Sequence, residues 1–309
     1  MMQKKKVIID CDPGQDDAVA IVLAARSPEL ELVGITCVAG NVEVEKTSAN
    51  ALKVCGVAGI HDVPVVKGMT QPLFGELVTA THVHGKSGLD GAEFPDPDLT
   101  MHPGHAVDFL IETIMASDND ITLIPTAPLT NIAMAILREP RIIEKIPQIV
   151  LMGGSMGMGN VTPSAEFNIY VDPEAAKVVF ESGVPIVMVG LDVTHKAILT
   201  WEHIAEIHKQ GTPVTDVFTD TLTFYLEALA KLGRKNGGAL HDPCTVAAIC
   251  DPSLLKTQLM RVDIETKGEF TRGRTVCDPR GTSGKAPNAE VGVDFDAERF
   301  FKMLIKRVK

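Results

Sequence analysis

The chain has no CxxC pair, no long apolar run and no surplus of basic residues, and each gap removes a class of function. Its six cysteines, Cys11, Cys37, Cys55, Cys244, Cys250 and Cys277, show neither zinc-finger spacing nor a disulfide framework, and several lie in apolar surroundings. They read as reduced core residues of a cytoplasmic enzyme. No stretch approaches the roughly 18–20 apolar residues of a membrane span, and strand-forming sequence begins after six residues, so no membrane anchor or export leader is expected. Basic residues number 29 against 40 acidic ones, for a formal charge of −11, and they are scattered. That balance argues against a nucleic-acid partner, whose phosphates need clustered cations. Internal repeats and linkers are lacking too, so the 309 residues are expected to form one domain, 1–309.

What is present is a βαβ rhythm. Val7–Ile9 reads as a strand, 15–26 as a helix, 30–39 as a strand, 43–57 as a helix and 63–66 as a short strand. After an irregular stretch, alternation resumes with helix 105–117, strand 121–125, helix 129–137, strand 148–152, helix 173–182 and strand 185–190. A mostly helical stretch covers 201–232, and after His241-Asp242 come a helix, strands 260–264, 274–277 and 290–295, and a last helix from about 297. The fold class is therefore α/β: a Rossmann-like, mostly parallel central sheet flanked by helices, with extra C-terminal helices and strands.

Asp10, Asp12, Asp16 and Asp17 crowd into eight residues directly behind the first strand, around the turn Pro13-Gly14. Helix capping accounts for Asp16 and Asp17 in a first helical turn, where negative charge is favoured. It leaves Asp10 and Asp12 unexplained at the end of an apolar strand. Carboxylates this close repel unless a hard cation holds them ionised, and in open α/β sheets the ligand crevice lies outside the strand ends.

Three further stretches could carry chemistry. Residues 67–104 form a long irregular segment containing Thr81-His82-Val83-His84-Gly85, and it reads as a mobile lid. Asn160-Val161-Thr162-Pro163-Ser164-Ala165-Glu166-Phe167-Asn168 follows a glycine-rich run and offers polar side chains and an aromatic suited to a sugar. His241-Asp242 supplies a titratable ring and an oxygen ligand, or merely a helix cap.

Taken together, Asp10-Cys11-Asp12-Pro13-Gly14-Gln15-Asp16-Asp17-Ala18, Val38-Ala39-Gly40-Asn41, His84-Gly85, Pro125-Thr126, Met152-Gly153-Gly154, Glu166-Phe167-Asn168 and His241-Asp242 resemble, in order, the blocks of the inosine–uridine nucleoside hydrolases. The stretch around Ser164 to Asn168 is similar to the bacterial pyrimidine-preferring members. This resemblance implies hydrolysis of the N-glycosidic bond of ribonucleosides, with uridine and cytidine favoured over inosine, and one Ca²⁺ per subunit. The ion would be held by Asp12, Asp17, the Thr126 carbonyl and Asp242, with Asp12 taking a proton from the water that completes its coordination. Asp16, Asn41 and Asn168 would grip the ribose, Asn160 and Glu166 its 5′-hydroxyl, and Asp10 would support the loop. His241, then His84, would protonate the leaving base, since histidine titrates near neutrality. Phe167 and Met152 are expected at the base and sugar. A homotetramer is also implied.

One stretch departs from the family pattern. Where pyrimidine-preferring relatives carry an aromatic near the base, this chain reads Leu229-Ala230-Lys231-Leu232-Gly233-Arg234-Lys235-Asn236; Tyr225 is the nearest aromatic, and Arg234 could replace that contact. Two other readings stay open at this point. Asp10-Cys11-Asp12 could be the DxD nucleophile of a magnesium phosphohydrolase, or the chain could be a calcium-dependent nucleoside- or sugar-binding protein without turnover.

Overall fold

A computed structural model describes residues 4–309. The first half alternates as expected: β1 (Lys5–Cys11), α1 (Gln15–Arg26), β2 (Leu30–Cys37), α2 (Val44–Ala58) and β3 (Val65–Lys67). The short helix α3 (Thr81–His84) interrupts the irregular segment, and α4 (Ala106–Ala116), β4 (Ile121–Pro125), α5 (Thr130–Arg138) and β5 (Ile149–Met152) follow. Next come α6 (Phe167–Val171), α7 (Pro173–Glu181), β6 (Ile186–Val189), α8 (Leu191–Thr194), β7 (Ile198–Leu199), α9 (Trp201–His208) and α10 (Pro213–Lys231). The chain closes with β8 (Gly238–Ala239), α11 (Pro243–Cys250), β9 (Leu255–Ile264), β10 (Thr275–Asp278), β11 (Ala289–Phe295) and α12 (Ala297–Arg307).

Nine strands form one sheet in the order β10-β9-β11-β6-β5-β4-β1-β2-β3, parallel throughout except where β9 runs against β10 and β11. Alternation along β1 shows why the sheet is buried on both sides. Val7, Ile9 and Cys11 join the apolar cluster beneath α1 and α2, while Ile8 joins the opposite cluster with Leu110 of α4, Ile132 of α5 and Val179 of α7. A strand covered on both faces needs apolar residues at every position, which is why it reads as a continuous run. Burying Ile8 and Ile9 contributes about 1.5–3 kcal/mol each.

The strand order also fixes where a ligand can sit. From β1 the chain steps outward to β2 and β3, then returns to the other side of β1 to lay down β4, β5 and β6. Connections at the ends of β1 and β4 therefore diverge, and the gap between them is the crevice of this architecture. Asp12 follows β1 and Thr126 follows β4.

Several elements differ from the sequence reading. β1 runs on to Cys11, which places Asp10 inside the sheet, and β9 begins at Leu255 rather than 260 because Lys256 to Leu259 are exposed at a poorly covered edge where apolar periodicity is lost. The two-residue pair β7 and β8, and helices α3, α6 and α8, were not foreseen; each is held by tertiary contacts rather than by its own pattern. Among the described residues, no helix is long and apolar enough to cross a membrane.

Candidate active site

The turn between β1 and α1 builds the centre of the site. Asp17, in the first turn of α1, accepts the Gly14 amide at 3.0 Å on Oδ2 and the Thr126 hydroxyl at 2.8 Å on Oδ1. Asp12 accepts the Asn41 amide at 2.6 Å, and the Asn41 side chain donates back to the Asp12 carbonyl at 3.1 Å. Gly14 has no alternative: a Cβ there would lie 2.5 Å from Nδ1 of His84. Asp10 points away from this centre, accepting Thr36 Oγ1 at 2.6 Å and Asn131 Nδ2 at 2.8 Å, and so ties β1 to β2 and α5.

These carboxylates are almost dry. Asp12, Asp16, Asp17 and Asp242 are each 5% exposed or less. Burial, reinforced by the neighbouring charge of Asp17, pushes the Asp12 carboxyl well above its ordinary range; burial with Asp16 does the same to Asp242 and brings Asp17 to about 7. Oxygens of Asp16, Asp17 and Asp242 lie within 4.8 Å of one another. Hard oxygens, low solvent access and mutual repulsion are what a divalent cation relieves, so the donor set fits one. The tight triad includes Asp16, assigned to the sugar on resemblance, and not Asp12, whose Oδ2 is engaged by Asn41.

The opposite wall comes from α6 and the loop before it. Glu166 caps α6, accepting the amides of Asn168 at 3.0 Å, Ile169 at 3.2 Å and Gly154 at 2.9 Å. Burial still raises its carboxyl to about 7 against those donors. Asn168 donates to the carbonyls of Thr126 at 2.9 Å and Met152 at 3.1 Å, clamping the ends of β4 and β5 together. Asn160 accepts the Phe167 amide at 2.9 Å.

A cavity of about 220 Å³ opens over this floor. It is lined by Asp12, Asp16, Asn41, His84, Thr126, Met152, Asn160, Glu166, Phe167, Asn168, Tyr225, His241 and Asp242. The structure thus gathers the catalytic and substrate residues expected from sequence around one cavity, with Asp17 outside its lining and Asp10 turned away. The cavity is also lined by Ala80, His82, Val83, Val161, Leu229, Leu232 and Arg234, of which His82, Leu232 and Arg234 are exposed and mark its solvent end.

Histidines occupy the other end. His84 Nδ1 lies 2.6 Å from Oε1 of Gln15, whose amide nitrogen donates to the His84 and Asp90 carbonyls, both at 3.3 Å. That network orients the amide, so Nδ1 of His84 carries the proton and Nε2 is left as an acceptor. The His84 ring stacks on Tyr225 at 6.2 Å, and Tyr225 donates to the Ala239 carbonyl at 2.7 Å. His241 pairs through Nδ1 with Thr194 Oγ1 at 2.8 Å, with His195 edge-on at 5.8 Å. Burial lowers His84 and takes His241 down to about 4, so the expectation of titration near neutrality does not hold for His241. Gln15 was missed from sequence, although it sits inside the aspartate block. Its role is visible only once residues 84–90 pack over α1.

A sequence model described as inosine-uridine preferring nucleoside hydrolase matches residues 7–302. The chain belongs to that nucleoside hydrolase family. It is 46% identical over 308 residues to the pyrimidine-specific ribonucleoside hydrolase RihB of Escherichia coli K12, covering 100% of this chain and 98% of that protein. Among solved structures it is similar to a purine-preferring ribonucleoside hydrolase from Gardnerella vaginalis, at 36% identity and a TM-score of 0.93, covering 98% of each chain. A plant nucleoside hydrolase, PpNRh1, matches at 34% identity and a TM-score of 0.93, covering 99% of each chain. The chain is thus a ribonucleoside hydrolase with the α/β nucleoside hydrolase fold, which removes both the phosphohydrolase and the non-enzymatic readings.

Proposed function

We propose that this nucleoside hydrolase favours pyrimidine ribonucleosides and works with one Ca²⁺ held by Asp12, Asp17, the Thr126 carbonyl and Asp242. The single observation that carries this reading is the set of buried carboxylates crowded at the β1–β4 crevice, too close and too dry to remain ionised alone. Six to eight hard oxygens suit calcium, and protein groups, a water and two ribose hydroxyls can supply them. Bound there, the ion would lower the pKa of a water and orient it.

Asp12 accepts the water proton, its carboxylate held in place by the Asn41 amide. Asp16, Asn41 and Asn168 hold the ribose, while Asn160 and Glu166 take its 5′-hydroxyl. Positive charge builds on the sugar as the N-ribosidic bond breaks, and the surrounding carboxylates stabilise it. His241 is the first donor to the leaving base and His84 the second; with its Nδ1 proton committed to Gln15, His84 must first gain a proton on Nε2. Phe167 and Tyr225 contact the base and Met152 the sugar. The pyrimidine preference is supported by the similarity to the RihB relative. A cytoplasmic homotetramer formed by one-domain subunits belongs to the same proposal and rests on the resemblance.

Asp12→Asn keeps the shape of the side chain and removes its basicity. The expected outcome is loss of ribose release by about a thousandfold or more, as for removal of a central catalytic group, with uridine binding by calorimetry retained. Turnover within tenfold of the unaltered enzyme would refute the role of Asp12.

A further inference from the structure

The ribose and metal residues leave the outer part of the cavity without a role, and that part holds the only fixed positive charge among the lining residues, Arg234. Helix α10 ends so as to place it there. Gly233 adopts a φ of 91°, and the Arg234 amide donates back to the Leu229 carbonyl at 3.0 Å, which reverses the chain and carries Arg234 over the cavity mouth. Arginine ion pairs among the described residues use Arg138, Arg141, Arg261, Arg272, Arg299 and Arg307, so the Arg234 guanidinium is not committed to a carboxylate. Its charge bears on Tyr225 and His241, which line the same cavity.

The cavity is therefore polarised. Asp12, Asp16 and Asp242, 1–5% exposed, form its floor, and Arg234 stands exposed at the solvent end. A ribonucleoside with its hydroxyls on the floor presents to the mouth the base edge farthest from the sugar. In uracil that edge carries a carbonyl oxygen; in cytosine it carries an amino group. A guanidinium donates hydrogen bonds and accepts none, so it pairs with the first and opposes the second.

We propose that Arg234 is a specificity-determining residue that selects ribonucleosides whose base carries a carbonyl at its sugar-distal edge, uridine over cytidine. The proposal rests on the ribonucleoside hydrolase reading and deepens it. In the reaction the C1′–N bond breaks with its electron pair passing to the base, the water oxygen bonds to C1′, the water proton goes to Asp12 and a proton is returned to the base nitrogen. Negative charge that develops on the uracil ring spreads to the distal carbonyl, so the guanidinium holds it more tightly in the transition state than in the substrate.

The test compares kcat/KM for uridine and cytidine in the unaltered enzyme, Arg234→Met and Arg234→Lys. Arg234→Met is expected to lower the uridine-to-cytidine ratio by about 10- to 100-fold, the range for losing a charge-assisted hydrogen bond. Arg234→Lys restores part of the ratio, because it keeps the charge and loses the planar fork. A ratio within about twofold of the original in Arg234→Met overturns the proposal. Should that variant lose its far-UV circular dichroism, Arg234→Lys decides alone: a lowered ratio supports the assignment and an unchanged one overturns it. An unaltered enzyme that releases ribose from neither nucleoside overturns the pyrimidine reading on which the proposal rests, and shows it before any variant is compared.

Discussion

Asp12 and His241 carry opposite burdens of the same burial. Loss of water lifts the carboxyl well above its usual range and takes the imidazole down to about 4. The proposed base must be ionised to work and is held in a place that resists ionisation, so on that proposal a neighbouring cation would be part of its function. On the proposed mechanism His241, which burial leaves neutral at pH 7, must take up a proton before it can donate to the departing base. Its help should matter in proportion to how poorly the base leaves. His241→Ala is expected to lower kcat on uridine by about 100-fold or more, within the range for general acid catalysis, and to change p-nitrophenyl riboside hydrolysis far less, because p-nitrophenolate leaves without a proton. Equal losses on the two substrates would mean that His241 binds rather than assists.

At the scale of elements, the turns after β1 and β2 are packed against each other with no slack. A Cβ on Gly40 would lie 2.0 Å from Oδ2 of Asp12 and 2.9 Å from Pro128, so this glycine is needed for space. Gly40→Ala must displace the Asp12 carboxylate, and displacement by about 1 Å can cost 100-fold in rate. Steady-state kinetics should show kcat falling by that order while the far-UV spectrum is retained; an undiminished kcat would mean that Asp12 is not held where the structure has it. Much at this scale was legible from the chain. Asp10 to Asp17 announced itself because strand, turn and helix signals meet there within eight residues. Gln15 did not, since it meets the His84 ring only after residues 84–90 fold over α1; Arg234 showed only as a substitute for a missing aromatic contact, since its place depends on where a 19-residue helix ends. Helix α6 was hidden for a related reason: five residues capped by Glu166 have no periodicity to read.

Over the whole molecule, the buried acids make stability depend on pH and, with the proposed cation bound, on metal as well. Asp10 and Asp17 rise from 3.8, and Glu166 from 4.5, to about 7 in the folded protein, burial being the leading cause in each case. Between those ordinary values and 7 the folded state binds protons that the unfolded chain has released, so raising the pH through this window destabilises the fold. Metal-free protein should therefore melt at a lower temperature at pH 8 than at pH 5. Calcium at a concentration 100 times its Kd at pH 8 adds about 2.7 kcal/mol there, several degrees of Tm, and the same concentration adds less at pH 5, where ligand carboxylates are protonated. Thermal scans at both pH values, with and without calcium, check this; a metal-free Tm that rises between pH 5 and pH 8 would contradict it.

The reaction, the metal and the sugar can be read together by reducing-sugar release from uridine, cytidine, inosine and 2′-deoxyuridine, each with and without a calcium chelator. Ribose should appear from the ribonucleosides, pyrimidines ahead of inosine. It should be far slower from the deoxynucleoside, which lacks a hydroxyl for the floor of the cavity, and should stop on chelation and return with added calcium. Undiminished release in the presence of chelator would contradict the assignment of Asp12, Asp17, Thr126 and Asp242 to a metal.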